Sequence, residues 1–552
     1  MLVQAVAFMV SAGVSSAQST AARAVRDSAG DAISAIVASG RHAAQRWPVL
    51  SDVTTDLRRL YTADSAGPRW SAAGRATASA LLVVQQLERM EARGLNPVDY
   101  DVDRLRQLAS GSLPTRAQQA EFDVMMSTAS LRALRGLRYG RVSATAAHAQ
   151  LQLAREPYDA VAALRQLTQS ANPSLQFDQA EPPFLHYHLL KDAMARYRQL
   201  ARDSTLLPVS LRGTLRPAST DTVVPALRRL LIAVGDVPST AAVPADSLLY
   251  DSVLVRGVTR FQQRQGLSAD GVIGPATLTR LRRPFADRVA QMALTLERWR
   301  WLPHAISDPP PIIVNIPAFR LHAFTTNSDR ESELISMDVV VGQAYNHRTP
   351  VFSGSLRYLI FSPYWDVPPS ITRKEILPAV RRDRSYLTRG HYEVVSNGGA
   401  ILGTSASAVS AVEAGRARIR QKPGPTNALG GVKFIFPNAF NVYLHDTPAQ
   451  SVFARARRDA SHGCIRIAHP ARLAQFLLRD QPGFDSTAIA RAMSQVRPQQ
   501  VNLTRPVPVH IMYATAVARE DGVVLFHEDI YRHDRSLTAL LARGYPYSNS
   551  RR

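Results

Sequence analysis

The chain has 552 residues, 45% hydrophobic and 20% charged, a balance that fits three or four globular domains with sizeable cores. Its net charge of +22 is carried almost wholly by Arg, since Lys occurs only at Lys191, Lys374, Lys422 and Lys433. The Arg residues are scattered with no nucleic-acid motif beside them, and a single cysteine, Cys464, excludes an internal disulfide framework.

In chain order, Leu2 to Val14 is a short apolar run ending in Ser15-Ser16-Ala17, a small-x-small cleavage signature without the usual basic flank. It predicts a signal peptide over 1–17 and an exported protein, with no membrane span in the mature chain. From 40 to 207 the pattern is helical. Leu81, Leu82, Val83, Leu87 and Met90 repeat at three and four residues, and Gly94 marks a stop. Phe122 to Leu137 reads as a further amphipathic run. No acid–base constellation appears here, so this stretch reads as a structural domain.

Thr205 to Thr222 is a linker, and Val224 to Val234 a short helix. The block 222–284 then carries V-T-R-F-Q-Q-R-Q-G-L-S-A-D-G-V-I-G-P-A-T-L. Gly266 terminates one helix, Asp270-Gly271 makes a turn, and Pro275 opens the next helix where its missing N–H costs nothing. This block resembles the small three-helix peptidoglycan-binding domain. By that resemblance Phe261, Gln262, Asp270, Gly271, Gly274 and Thr277 are its signature positions. A connecting helix spans 285–308 and packs back on the helical domain.

Pro309-Pro310-Pro311 marks the entry to a strand-rich region, 309–534, with strands expected at Ile312 to Ile316, Arg320 to Thr325, Met337 to Val341 and Leu356 to Phe361. Residues 366–425 form an insertion of about sixty residues, longer than connections inside compact domains, which reads as a lid over an active site. The remainder, 535–552, reads as a C-terminal tail.

Chemistry concentrates between Phe440 and Ile467. In F-N-V-Y-L-H, Tyr443 and His445 share the polar face of a strand. A short loop later comes S-H-G-C-I-R-I, with Cys464 after Gly463 and before an alternating segment. A thiol near an imidazole is a nucleophile and base pair. A zinc site of His445, Asp446, His462 and Cys464 lacks a paired-ligand spacing.

The two blocks together resemble the L,D-transpeptidases with a YkuD-type catalytic domain, through His445, Ser461, His462, Gly463, Cys464, Ile465 and Arg466. The pieces G-L-N-P-V-D-Y and L-R-Y-G-R-V similarly resemble the scaffold domain of the large Gram-negative members. The implied fold is multidomain α+β: a helical scaffold, a three-helix peptidoglycan-binding module and a mainly β catalytic domain with a capping insertion.

The resemblance implies Cys464 as acyl-accepting nucleophile and His445 as base, its ring oriented by a backbone carbonyl. The Gly463 and Cys464 N–H groups would form an oxyanion hole. Arg466, His462, Ser461, Tyr443, Asn427 and Lys433 are implied as substrate contacts. The implied reaction forms a thioester on a tetrapeptide stem with loss of D-Ala. A neighbouring stem's diamino acid then resolves it into a 3-3 cross-link, in the periplasm and without metal or organic cofactor. Other wall-synthesis enzymes are further expected partners, and carbapenems expected acylating agents. The same cysteine could instead serve an L,D-carboxypeptidase or an enzyme attaching a lipoprotein to the wall. A non-catalytic wall-binding scaffold is the rival from another class.

Overall fold

The computed structural model describes residues 29–547, apart from 63–66, 152, 154, 207–208, 306, 327, 329 and 345–346. The signal segment expected at 1–17 lies outside the described residues. Among those described, no helix is long and apolar enough to cross a membrane.

In the amino-terminal domain, α1 (Ala78–Glu88) is capped by Thr77, whose hydroxyl accepts the Ala80 N–H, and its following turn ends at Gly94 with φ +73°. The axis of the domain is α2 (Arg116–Tyr139), which opens on a capping box of Thr115 and Gln118. The sequence predicts an amphipathic helix here, but every residue of α2 from Phe122 to Leu134 is buried. Small Ser127, Thr128 and Ser130 let neighbours pack on the side that periodicity assigns to water.

Helix α3 (Leu185–Arg202) leads into the module of α4 (Val224–Ala233), α5 (Ser252–Arg264) and α6 (Pro275–Leu281). Asp251 caps α5 by accepting the Leu254 N–H at 2.8 Å, and Leu227, Leu231, Leu254, Val258 and Ile273 fill the module's core. Helix α7 (Phe285–Trp299) then returns along α3, sharing Met292 and Leu296 with Tyr187, Leu190 and Met194. Near its end Glu297 is fully buried. One carboxylate oxygen accepts the N–H groups of Arg141 and, at 2.9 Å, of Val142, while Arg300 donates to the other at 3.3 Å. Gly140, at φ +80°, permits this approach: a Cβ there would stand 3.0 Å from the Glu297 carboxylate and 3.1 Å from Trp301.

The strand-rich domain begins with β1 (Ile312–Asn315), β2 (Arg320–Phe324), β3 (Leu334–Gly342) and β4 (Phe352–Phe361). The insertion follows with β5 (Trp365–Asp366), a π-helical turn at Thr372–Ile376, α8 (Leu377–Arg382), β6 (Tyr392–Ser396), β7 (Ile401–Gly403), α9 (Ala406–Glu413) and β8 (Ala417–Gln421). Its strands pair in the order β5-β8-β6-β7 around a core of its own, including Ile376, Leu377, Leu387, Val394 and Ile419. The chain re-enters the main sheet as β9 (Val432–Ile435), β10 (Leu444–His445), β11 (Asp459–Ser461), β12 (Ile465–Ile467) and β13 (Gln499–Met512).

The order β3-β12-β10-β9-β4-β13-β1-β2 returns to β3, whose first half pairs with β2, so eight strands close on themselves and β11 extends the edge at β3. Closure leaves no bare edge in the ring. Alternate residues such as Val314, Leu321, Val339, Leu359, Phe434, Leu444, Ile465 and Ile511 fill the interior.

Past β13 the chain leaves the barrel. The hairpin β14 (Ala516–Ala518) and β15 (Val524–Phe526) covers α3 and α7. Helix α10 (His533–Leu541) then docks Leu537 on the barrel's core. Tyr545 reaches the amino-terminal domain, its ring under Arg132 (4.6 Å) and beside Tyr100 (6.3 Å). The expected tail over 535–552 is therefore, as far as 547, a packed closure. Leu537, Leu540 and Leu541 share an apolar stripe, and Tyr545 and Tyr547 bury their rings in the amino-terminal half of the chain.

Candidate active site

Cys464 stands at the mouth of the barrel, one residue before β12. Gly463 adopts φ +113°, a backbone turn that an L side chain rarely tolerates. The loop is pinned on both sides. The Ser461 hydroxyl donates to the Cys464 carbonyl at 2.5 Å and accepts the Gly463 N–H at 3.2 Å. The Thr349 hydroxyl donates to the Gly463 carbonyl at 2.8 Å and accepts the Gly342 N–H at 2.9 Å. Behind Thr349, the Tyr531 hydroxyl accepts its N–H at 3.2 Å and donates to the Gly342 carbonyl at 2.5 Å. Tyr513 in turn accepts the Tyr531 N–H at 2.9 Å and donates to Asp529 at 2.7 Å.

This arrangement changes the expected oxyanion hole. The Gly463 N–H is engaged by Ser461, which leaves the Cys464 N–H, without an acceptor among the described residues, as the donor this loop offers.

Strand β10 delivers the imidazole. It pairs parallel to β12, setting Leu444 beside Ile465 and His445 beside Arg466, and antiparallel to β9, setting Lys433 beside His445. Because side chains alternate, Tyr443, His445, Cys464, Arg466 and Lys433 share one face of three adjacent strands. The expected long strand from Phe440 is only two residues. Asn438 accepts the N–H groups of Phe440 and Val442, and Asn441 sits at φ +54°, so the approach to β10 is a turn.

The His445 Nδ1–H donates to the Asp446 carbonyl at 2.5 Å, which leaves Nε2 as the acceptor. The ring is 5% exposed, and burial, reinforced by Arg466 and Lys433, pulls its pKa down to about 3. Burial pushes the Cys464 thiol up, opposed by hydrogen bonds from the Tyr443 N–H and hydroxyl and by the charges of Arg466 and Lys433. The resting pair is thus neutral thiol and neutral imidazole. In this state the thiol points to the Asn441 carbonyl, 3.7 Å away.

The insertion reaches this loop. Glu375, on the π-helical turn, accepts from His462 Nε2 at 2.6 Å, and the His347 ring lies 4.8 Å from that of His462. Neither Glu375 nor His347 belongs to a local pattern that sequence reading could weigh; their roles come from long-range contact.

Of the expected substrate contacts, Tyr443, Arg466 and Lys433 act on the thiol, whereas His462 turns to Glu375 and His347 and Ser461 shapes the loop. Asn427 is a correction. It is fully buried, donating to the carbonyls of Lys422 (2.9 Å) and Pro363 (3.1 Å) and accepting the Leu429 N–H (2.8 Å), so it ties the exit of the insertion to its entry. In the three-helix module Gln262 is likewise buried. Its amide donates to Asp270 (2.8 Å), the Val272 carbonyl (2.9 Å) and Thr277 (3.1 Å) and accepts the Gly271 N–H (2.8 Å). With Phe261 buried beside them, these signature residues clamp the module's own turn. Gly274 supplies the cap position of α6. Among the described residues no group of His, Cys, Asp and Glu is arranged to hold a metal.

Comparison with known proteins gives three family matches. Residues 309–508 match the YkuD model, described as an L,D-transpeptidase catalytic domain. Residues 55–194 match a scaffold domain, and residues 220–281 match a "Putative peptidoglycan binding domain". A protein of Haemophilus influenzae named "Putative L,D-transpeptidase" is 29% identical over 248 residues, which is 45% of this chain and 48% of that protein. The chain thus spans about half the length of the curated relative it matches.

Proposed function

Because residues 309–508 form an L,D-transpeptidase catalytic domain that follows a scaffold and a peptidoglycan-binding domain, we propose that the protein cross-links peptidoglycan stem peptides through a thioester on Cys464. The observation that carries this reading is the shared face. A thiol and an imidazole whose Nδ1 is locked on a carbonyl stand on adjacent parallel strands at a barrel mouth partly covered by an insertion.

The reaction follows from that arrangement. Rotation of the Cys464 side chain from the Asn441 carbonyl toward His445 lets Nε2 take the thiol proton as sulfur attacks the carbonyl carbon before the terminal D-Ala. The carbonyl oxygen takes up the negative charge and the Cys464 N–H stabilises it, a donor of the kind worth about 3 kcal/mol. As the C–N bond breaks, His445 returns its proton to the leaving amine and D-Ala departs. The side-chain amine of a diamino acid on a second stem attacks the thioester, gives a proton to His445, and the sulfur recovers it. Burial leaves the imidazole unprotonated at neutral pH, so Nε2 is free to accept the thiol proton, as a weaker base than an ordinary histidine. The insertion screens the thioester from water, which favours amine over hydrolysis and so transfer over carboxypeptidase action. This activity belongs in the periplasm, where the stems are.

Intact-mass spectrometry with a tetrapeptide donor tests the reading. The expected result is an adduct equal to the donor minus D-Ala on the wild-type protein and none on Cys464→Ala, with cross-linked dimers once an acceptor stem is added. An adduct that survives in the variant, or its absence from the wild type, would overturn it.

A further inference from the structure

Two half-buried cations flank the imidazole, and neither is ion-paired with a carboxylate, unlike several buried arginines elsewhere in this chain. Arg132 is paired with Asp52 at 2.9 Å, Arg264 with Asp236 at 2.6 Å and Arg298 with Asp534 at 2.6 Å. Arg466 and Lys433 make no ion pair within 4 Å among the described residues, and the Arg466 Nε is buried without a hydrogen-bond partner. A half-buried guanidinium on the nucleophile's face, with no carboxylate beside it and its Nε buried without a partner, is open to an arriving anion. Lys433 feels Asp366 at the base of the insertion, but Asp366 is itself held by Arg418 at 3.0 Å. Arg466 has no such neighbour: the one anion that reaches it is Cys464 itself when ionised.

We infer that Arg466, assisted by Lys433, binds the C-terminal carboxylate of the donor peptide and thereby sets the point of cleavage one residue from its end. The inference rests on the acyl-transfer reading above and adds what that reading does not specify, namely how the donor's end is measured. Arg466 shares the Cys464 face of β12 two residues on, close enough for a carboxylate one residue beyond the attacked carbonyl. A planar guanidinium takes a carboxylate with two parallel hydrogen bonds, which fixes direction as well as distance. The same site rejects a donor extended by one residue, whose attackable carbonyl would then sit out of reach when its terminus is docked.

The rival role for these cations is to stabilise the thiolate. The two roles separate when each protein is given two donors, a tetrapeptide stem with a free C-terminal carboxylate and the same stem as its C-terminal amide. Acylation rates by intact mass give their ratio, in which any effect on the sulfur cancels. The wild type is expected to favour the carboxylate donor by roughly 30-fold, the scale of a charge-assisted pair. Arg466→Gln should bring the ratio close to one, and Arg466→Lys should restore part of it, which also shows that the fold survives at this position. A wild type that treats both donors alike overturns the inference. So does an Arg466→Gln protein that slows both donors equally and keeps the ratio, because the guanidinium then serves the sulfur. Absence of an adduct from either donor, with the thiol still open to alkylation, would instead bring down the acyl-transfer reading and the inference with it.

Discussion

A buried charge cluster and a half-buried one are built here on opposite principles. At the junction of the amino-terminal domain with α7, Glu297 is surrounded by Arg141 and Arg300, and Glu181 by Arg93 (2.8 Å) and Lys191 (2.6 Å). Glu297 is closed off by side chains and backbone N–H groups, and Glu181 by side chains, all supplied by the protein. At the barrel mouth, Arg466 and Lys433 face a neutral imidazole and a neutral thiol, and their partner must come from outside. Matched buried charge holds helices in register, whereas the unpaired, half-buried cations at the mouth are open to a ligand. The contrast separates structural from chemical residues better than charge or burial alone.

The contrast can be broken at several points. Replacing His445 by Gln at the mouth should slow acylation about a thousandfold, the usual weight of a positioned base, while leaving the thermal midpoint within a degree or two. An unchanged rate would remove the imidazole from the mechanism. At the junction the opposite split is expected. Glu297→Gln strands Arg141 and Arg300 and should cost about 3 kcal/mol in urea unfolding, with the ratio of rates for the two donors untouched; a neutral result there would mean the pairing is decorative.

Acid should expose a third difference. Burial holds His322, His510, His527 and His533 down at about 4 and His445 at about 3, against an ordinary value of 6.5. The unfolded chain therefore binds more protons in this window. Stability is full above about pH 6.5 and is lost as pH falls toward 4, a slope that urea midpoints at pH 7 and pH 4.5 would reveal. A midpoint indifferent to pH would show that these rings gain compensating partners when charged. The smallest effect belongs to Glu375→Gln, which weakens an exposed contact with His462 and should change acylation less than about fivefold. Its more telling readout is partitioning, with hydrolysis of the thioester rising against transfer. Constant partitioning would detach the insertion from water exclusion.

Much of this was legible in the residues. The two separated blocks around His445 and Ser461-His462-Gly463-Cys464 pointed to the candidate nucleophile and base, turn chemistry at Asp270-Gly271 and Pro275 placed the three-helix module, and period-two runs placed several barrel strands. What was not legible depends on partners far along the chain. Asn427 and Gln262 stand in recognisable motifs, yet their amides serve backbone groups that only the folded loops bring near. Glu375 meets His462 across 87 residues, beyond any local window. Helix α2 hides a small-residue face that periodicity reads as polar.

The closure at Tyr545 has a consequence for synthesis. Its hydroxyl meets the Arg132 carbonyl across 413 positions of sequence. A domain begun by the first quarter of the chain thus receives part of its wall from a residue made 413 positions later. Until that residue is made the socket stays open on the nascent chain, and the entropy of closing so long a loop is met only afterwards.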